Sequence, residues 1–189
     1  MLKMNYWTDK WDLHVDVCPC DVHFNEWVKA RKLKGKTIYH FGTGTHHVVG
    51  IRQAELGNCT LAITASKEEY DAYIKLVTEN ARVAKSYFAY FGDIYLSNAR
   101  LLPEFDVVTL FHLCEFFYDN TASAEYGGLT DRGVLDLMTE RTRKGGHILF
   151  YRGSIAYDKA KPVIAAWEKE RPVEPVVDFK TLQIYRKRA

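Results

Sequence analysis

No stretch of this 189-residue chain strings together the roughly 20 apolar residues that a membrane-spanning helix needs. The opening MLKMNYWTDKW does not read as a signal peptide. Charge of one sign is also missing: 26 Lys and Arg stand against 24 Asp and Glu, a net charge of +2. That balance gives no electrostatic reason to expect a polyanionic partner, so nucleic acid is not the expected ligand. The basic clusters Arg141-Thr142-Arg143-Lys144 and Arg186-Lys187-Arg188 fall at an expected helix end and near the chain terminus, where solvated charge is the simplest reading. Cysteine is scarce, and Cys18, Cys20, Cys59 and Cys114 have no disulfide-framework spacing, so reduced thiols and a cytoplasmic location are expected. There is no Gly-x-Ser-x-Gly elbow, no His-Glu-x-x-His helix and no phosphate-binding loop carrying Lys-Ser/Thr. Internal repeats and low-complexity linkers are absent too, and a composition of 47% hydrophobic and 26% charged residues fits one globular core.

Against these absences one segment stands out. KTIYHFGTGTHHVVG, from Lys36 to Gly50, reads as a buried strand over Thr37 to Phe41, a glycine turn at Gly42-Thr43-Gly44-Thr45, and a helix from about Thr45 to Glu55. A strand feeding a glycine turn and a helix start suits a nucleotide-like ligand, because glycine admits close approach of the backbone and the helix start offers unpaired N–H groups.

The rest of the chain alternates in the same way. Strands are expected at Thr60 to Thr64, Tyr87 to Phe91, Phe105 to Phe111 and His147 to Tyr151. Helical spacing marks Phe24 to Leu33, Lys67 to Asn80, Leu129 to Arg143 (closed by Gly145-Gly146) and Ile155 to Glu170. Val173 to Phe179 and Thr181 to Lys187 are joined too tightly for a crossover helix and should pair antiparallel. The expected architecture is α/β: a doubly wound, Rossmann-like sheet of about seven strands, mostly parallel, with a C-terminal antiparallel β-hairpin. Residues 1–35 are expected to form a helical arm or lid, and residues 36–189 the sheet domain.

Five alternating units, a closing hairpin and GTGT after the first strand resemble the class I S-adenosylmethionine-dependent methyltransferases over about residues 36 to 187. The first-loop pattern of that family, acidic-x-Gly-x-Gly-x-Gly, reads here His40-Phe41-Gly42-Thr43-Gly44-Thr45-His46. Two glycines match, His40 replaces the acid, and His46 replaces the third glycine. The position of the ribose-binding acid after the second strand holds Ser66, with no carboxylate before Glu68. Gly92-Asp93-Ile94 is similar to the adenine-binding segment, FDVVTLFHLCEF to the segment lining the transfer site, and RKGGHILFYR to the approach to the fifth strand. The resemblance implies that Phe41, Gly42, Thr43, Gly44, Ser66, Gly92, Asp93, Ile94 and Phe111 hold S-adenosylmethionine, and that a small molecule accepts its methyl group. A dinucleotide reading fails at His47, where Gly-x-Gly-x-x-Gly needs its last glycine. The missing acids keep a second reading open, that of a catalytically silent binding or scaffold protein with this fold.

Methyl transfer from a sulfonium asks for alignment, exclusion of water and sometimes removal of a proton. His112 follows the fourth strand, where the acceptor should sit, and is the candidate general base, with Glu115 and Asp119 as candidate partners. Tyr6, Trp7, Trp11, Phe111, Phe116, Phe117 and Tyr118 are candidates to line an apolar pocket for the donor. His46 and His47 are expected to be neutral at a helix start, with His46 either lining the donor or blocking an unused site. The loop Asp119 to Leu129 is a candidate cover. Cys18, Cys20 and His23 fall within six residues, but Cys-x-Cys is shorter than ordinary zinc spacing, and no metal site is expected.

Overall fold

A computed structural model of the chain describes residues 7–117 and 128–188. Tyr6, Tyr118, Asp119 and most of the expected cover loop lie outside the described residues.

The elements run α1 (Cys20–Ala30), β1 (Thr37–Phe41), α2 (Val48–Leu56), β2 (Cys59–Thr64), α3 (Lys67–Glu79), α4 (Ala81–Ala84), β3 (Tyr87–Phe91), β4 (Phe105–Thr109), α5 (Asp131–Arg141), β5 (Thr142–Tyr151), α6 (Tyr157–Glu170), β6 (Val173–Pro175) and β7 (Leu182–Lys187). Seven strands form one sheet in the order β3-β2-β1-β4-β5-β7-β6. The first five are parallel, and β7 pairs antiparallel with both β5 and β6. The expected seven-stranded, mostly parallel sheet with its closing hairpin is therefore present. No helix among the described residues is long and apolar enough to cross a membrane.

Strand periodicity explains the two layers. Tyr39, Val108, Ile148, Phe150 and Tyr185 face one side, where Val134, Leu135 and Met138 of α5 and Ile164 and Trp167 of α6 cover them. Their neighbours Ile38, Val107, Leu149 and Ile184 face the other side, against Phe24, Trp27 and Val28 of α1 and Val49 of α2. Helix α1 thus packs on the sheet as part of this core.

Two expected boundaries move for physical reasons. Helix α2 begins at Val48 because His47 takes a left-handed conformation, φ 46°, that no helix residue shares. Gly145 and Gly146 do not close a helix; they form an irregularity inside β5, which already starts at Thr142. Gly145 has φ 77°, and a Cβ on Gly146 would meet the Asp106 carbonyl oxygen at 2.8 Å.

The chain passes β1, β2, β3 on one side of the sheet and then returns to place β4 on the other side of β1. That reversal opens a crevice at the carboxyl ends of β1 and β4. The packing behind it can be tested at Trp167, which is fully buried, stands edge-on to Phe150 and Tyr185, and donates from Nε1 to Thr139 Oγ1 at 2.8 Å. Trp167→Ala is expected to cost about 3–5 kcal/mol in urea unfolding, and Trp167→Phe distinctly less.

Candidate active site

A cavity of about 500 Å³ occupies the crevice. Its floor is the turn after β1. Gly42 and Gly44 both have positive φ, 84° and 56°, and a Cβ on Gly44 would strike His46 Nε2 at 2.4 Å. Glycine is therefore required at Gly44 both by its backbone and by the imidazole beside it. Phe41, Gly42 and Gly44 line the cavity, and so do Ser66 after β2 and Gly92, Asp93 and Ile94 after β3. Two expected ligands lie elsewhere. Thr43 is buried behind the turn and donates to Glu69 Oε2 at 3.2 Å. Phe111 packs in the core, 6.0 Å from the rings of Phe24 and His40.

Ser66 Oγ is buried with no hydrogen-bond partner among the described residues, at the position where the resemblance puts a ribose contact. Asp93 is buried and accepts from the Tyr95 N–H at 2.9 Å, which fixes its carboxyl group toward the cavity wall.

Two carboxylates in the cavity wall were not picked out from the sequence. Glu69, in the first turn of α3, accepts from Thr64 Oγ1 at 2.6 Å, from Thr43 Oγ1 and from the Trp11 N–H at 3.1 Å. Burial raises its pKa against the pull of these donors. Asp21, in the first turn of α1, lies 3.7 Å from His40 Nε2 and 3.8 Å from His46 Nε2. Burial lifts it to about 7, with the His112 charge acting in the opposite sense. An acid near His40 therefore exists, delivered by another helix. Asp21 lies before the helix expected over Phe24 to Leu33, so no sequence pattern pointed to it; the helix starts at Cys20.

The histidines divide by their partners. His47 donates from Nε2 to the Glu69 carbonyl oxygen at 2.9 Å and accepts at Nδ1 from the Tyr87 hydroxyl at 2.8 Å. Burial holds it at about 4, so it is a neutral bracket between α2, α3 and β3. His46 Nδ1 accepts from the Val48 N–H at 3.2 Å, satisfying an amide at the start of α2 while its ring lines the cavity. His40 bonds Thr109 Oγ1 at 2.8 Å, and burial drives it to about 3.

His112 lies where the sequence placed it, on the cavity wall after β4, donating from Nδ1 to Glu115 Oε2 at 3.0 Å. Ser154 Oγ holds the other Glu115 oxygen at 2.5 Å. Burial acts to lower the His112 pKa, but the Glu115 bond and charge, with Cys18 and Asp21, outweigh it and lift the value to about 9. The Glu115 bond and the nearby charges thus favour the protonated ring, which offers a hydrogen-bond donor at the cavity wall. Cys18 and Cys20 stand beside it with their sulfurs 3.5 Å apart, and their hydrogen bond lowers the Cys18 pKa and raises that of Cys20. His23 is not part of this group; it bonds Thr181 Oγ1 at 2.8 Å.

The segment before α1 crosses the mouth of the cavity. The Trp7 N–H bonds the Ala65 carbonyl at 3.1 Å and the Trp11 carbonyl accepts from the Thr45 N–H at 2.8 Å. Trp7 packs edge-on against Phe116 at 5.0 Å, and Trp7, Trp11 and Phe116 all line the cavity, whereas Phe117 packs against Tyr95.

No protein-family model matches the chain, and no curated protein matches it. Solved structures do. NodS, an N-methyltransferase from Bradyrhizobium japonicum WM9 in complex with S-adenosyl-L-homocysteine, is 13% identical, with 92% of this chain and 90% of that one covered at a TM-score of 0.63. Precorrin-6y C5,15-methyltransferase from Geobacter metallireducens GS-15 is 13% identical, with 95% and 94% covered at 0.61. An rRNA methylase from Streptococcus thermophilus is 11% identical, with 89% and 97% covered at 0.58. The chain has the class I methyltransferase fold over nearly its whole length.

Glu69 joins the covering segment to the turn after β1 and to β2. Glu69→Ala leaves two buried hydroxyls and the Trp11 N–H without their acceptor. Limited proteolysis is then expected to cut within residues 7–18 several-fold faster than in the parent chain, while the far-UV spectrum stays unchanged.

Proposed function

We propose that this chain binds S-adenosylmethionine in the crevice and transfers its methyl group to a small-molecule acceptor. The observation that carries this reading is the cavity itself. In a fold shared with methyltransferases, it joins the Gly42–Gly44 turn, an unpartnered Ser66 hydroxyl and the Asp93 carboxyl group at the ends of three adjacent strands. On this reading the turn approaches the amino-acid end of the donor, with His46 above it. Ser66 and Glu69 face the ribose. Asp93 accepts from the adenine amine while Ile94 packs on the ring. His112 reaches the acceptor as a donor of a charge-assisted hydrogen bond, positioned by Glu115 and Ser154.

A small acceptor is supported by the covering segment, whose tryptophans lie over the mouth, and by the absence of a charge excess that would draw a polyanion. The protein contributes alignment and exclusion of water, which are the main requirements of a displacement at a methyl group.

Calorimetric titration with S-adenosylhomocysteine tests the reading, with NAD as control. Micromolar binding of the first alone is expected, weakened by about tenfold or more in Asp93→Ala through loss of a hydrogen bond to a charged acceptor. No heat at millimolar ligand would leave the silent binding protein as the better reading.

A further inference from the structure

Three ligand-type groups meet at the wall of the cavity: the Cys18 thiol, the Cys20 thiol and a ring nitrogen of His112, all within 4.8 Å of one another. We propose that Cys18 Sγ, Cys20 Sγ and His112 Nε2 bind one divalent cation of the zinc class, with a fourth position open to the cavity. The inference stands on these three residues and does not depend on the methyl-donor reading.

The spacing of the two sulfurs, which share a hydrogen bond, is within a few tenths of an ångström of what one metal ion needs. Two sulfurs on a tetrahedral zinc, each about 2.3 Å from it, stand about 3.8 Å apart; here they are 3.5 Å apart and unbridged. Sulfur and imidazole nitrogen are the donor set that selects zinc over magnesium or calcium. The short Cys-x-Cys spacing, which in the sequence argued against a site, is completed from across the fold. The turn after β4 brings His112 to the thiols, while His23 bonds Thr181.

The surroundings are those of a metal-bound histidine. Glu115 accepts a hydrogen bond from the Nδ1–H and is itself fixed by Ser154, so the ring is oriented and Nε2 is the atom left for coordination. Asp21 Oδ1 lies 3.5 Å from Cys20 Sγ at the edge of the group. All three ligand residues line the cavity, so the remaining coordination position opens toward a ligand there rather than being closed by a fourth side chain among the described residues. With the cation bound, Nε2 would hold it in place of a proton.

The full chain, stripped with a chelator, is titrated with zinc chloride by calorimetry and with cobalt(II) by absorption spectroscopy. The expected results are one zinc per chain with submicromolar affinity and a cobalt spectrum showing sulfur-to-metal charge-transfer bands. Glu115→Gln is expected to weaken zinc by roughly 10–100-fold. In Cys18→Ser/Cys20→Ser the charge-transfer bands should vanish. The cobalt spectrum of the unaltered chain keeps the test valid if that double variant fails to fold. Absence of stoichiometric zinc binding, cobalt bands free of sulfur character, or a folded double-serine variant that binds zinc as tightly as the parent would overturn the proposal.

Discussion

The ligand end of this molecule depends on one buried carboxyl group. Glu69 ties the turn after β1 through Thr43, the end of β2 through Thr64 and the covering segment through the Trp11 N–H, while its main-chain oxygen takes the His47 proton. A carboxylate removed from water costs several kcal/mol unless donors replace its hydration. Three donors from three segments do so here, and each is positioned only when the others are. The carboxyl group holds the Trp11 N–H of the covering segment, and the main-chain oxygen of the same residue holds the left-handed His47.

The same arrangement shows how a crevice gains carboxyl groups when the ends of β1 and β2 carry none. His40 and Ser66 stand where the family pattern has acids, yet Asp21 and Glu69 reach the same space from α1 and α3. A helix that packs against the sheet can deliver a side chain to the strand ends as well as the strand itself can. The first turn of each helix is also where a negative charge is best tolerated. The electrostatics of the cavity thereby belong to the whole layer and not to the turn after β1 alone.

This explains what was legible in the sequence and what was not. Apolar runs such as Phe105-Asp106-Val107-Val108-Thr109 and the glycine turn at Gly42 are local signals, and the strands, their alternation with helices and the closing hairpin could be read from them. The position of His112 on the cavity wall was legible because the loops past the carboxyl ends of parallel strands border the crevice. Phe111, one residue earlier, was expected to line the donor's pocket, and the turn after β4 sends it into the core beside Phe24. Asp21 and Glu69 were missed since their roles arise from packing between elements distant in sequence. Cys18 and Cys20 were judged by their short Cys-x-Cys spacing with His23 as the near third residue, whereas their neighbour in space, His112, comes from beyond β4. The glycines at Gly145 and Gly146 looked like a helix stop because a β-irregularity and a helix end use the same residue for the same reason, a positive φ or a close backbone approach.

The central claim is that a nucleoside-bearing methyl donor lies across the Gly42–Gly44 turn with its sugar at Ser66 and its base at Asp93. The most direct measurement is an amide ¹H–¹⁵N spectrum of the labelled chain titrated with S-adenosylhomocysteine. The account predicts saturable shifts at Gly42, Gly44, Ser66 and Asp93, with the hairpin residues of β6 and β7 unmoved. Unchanged spectra at saturating ligand, or shifts confined to residues outside the crevice, would contradict it.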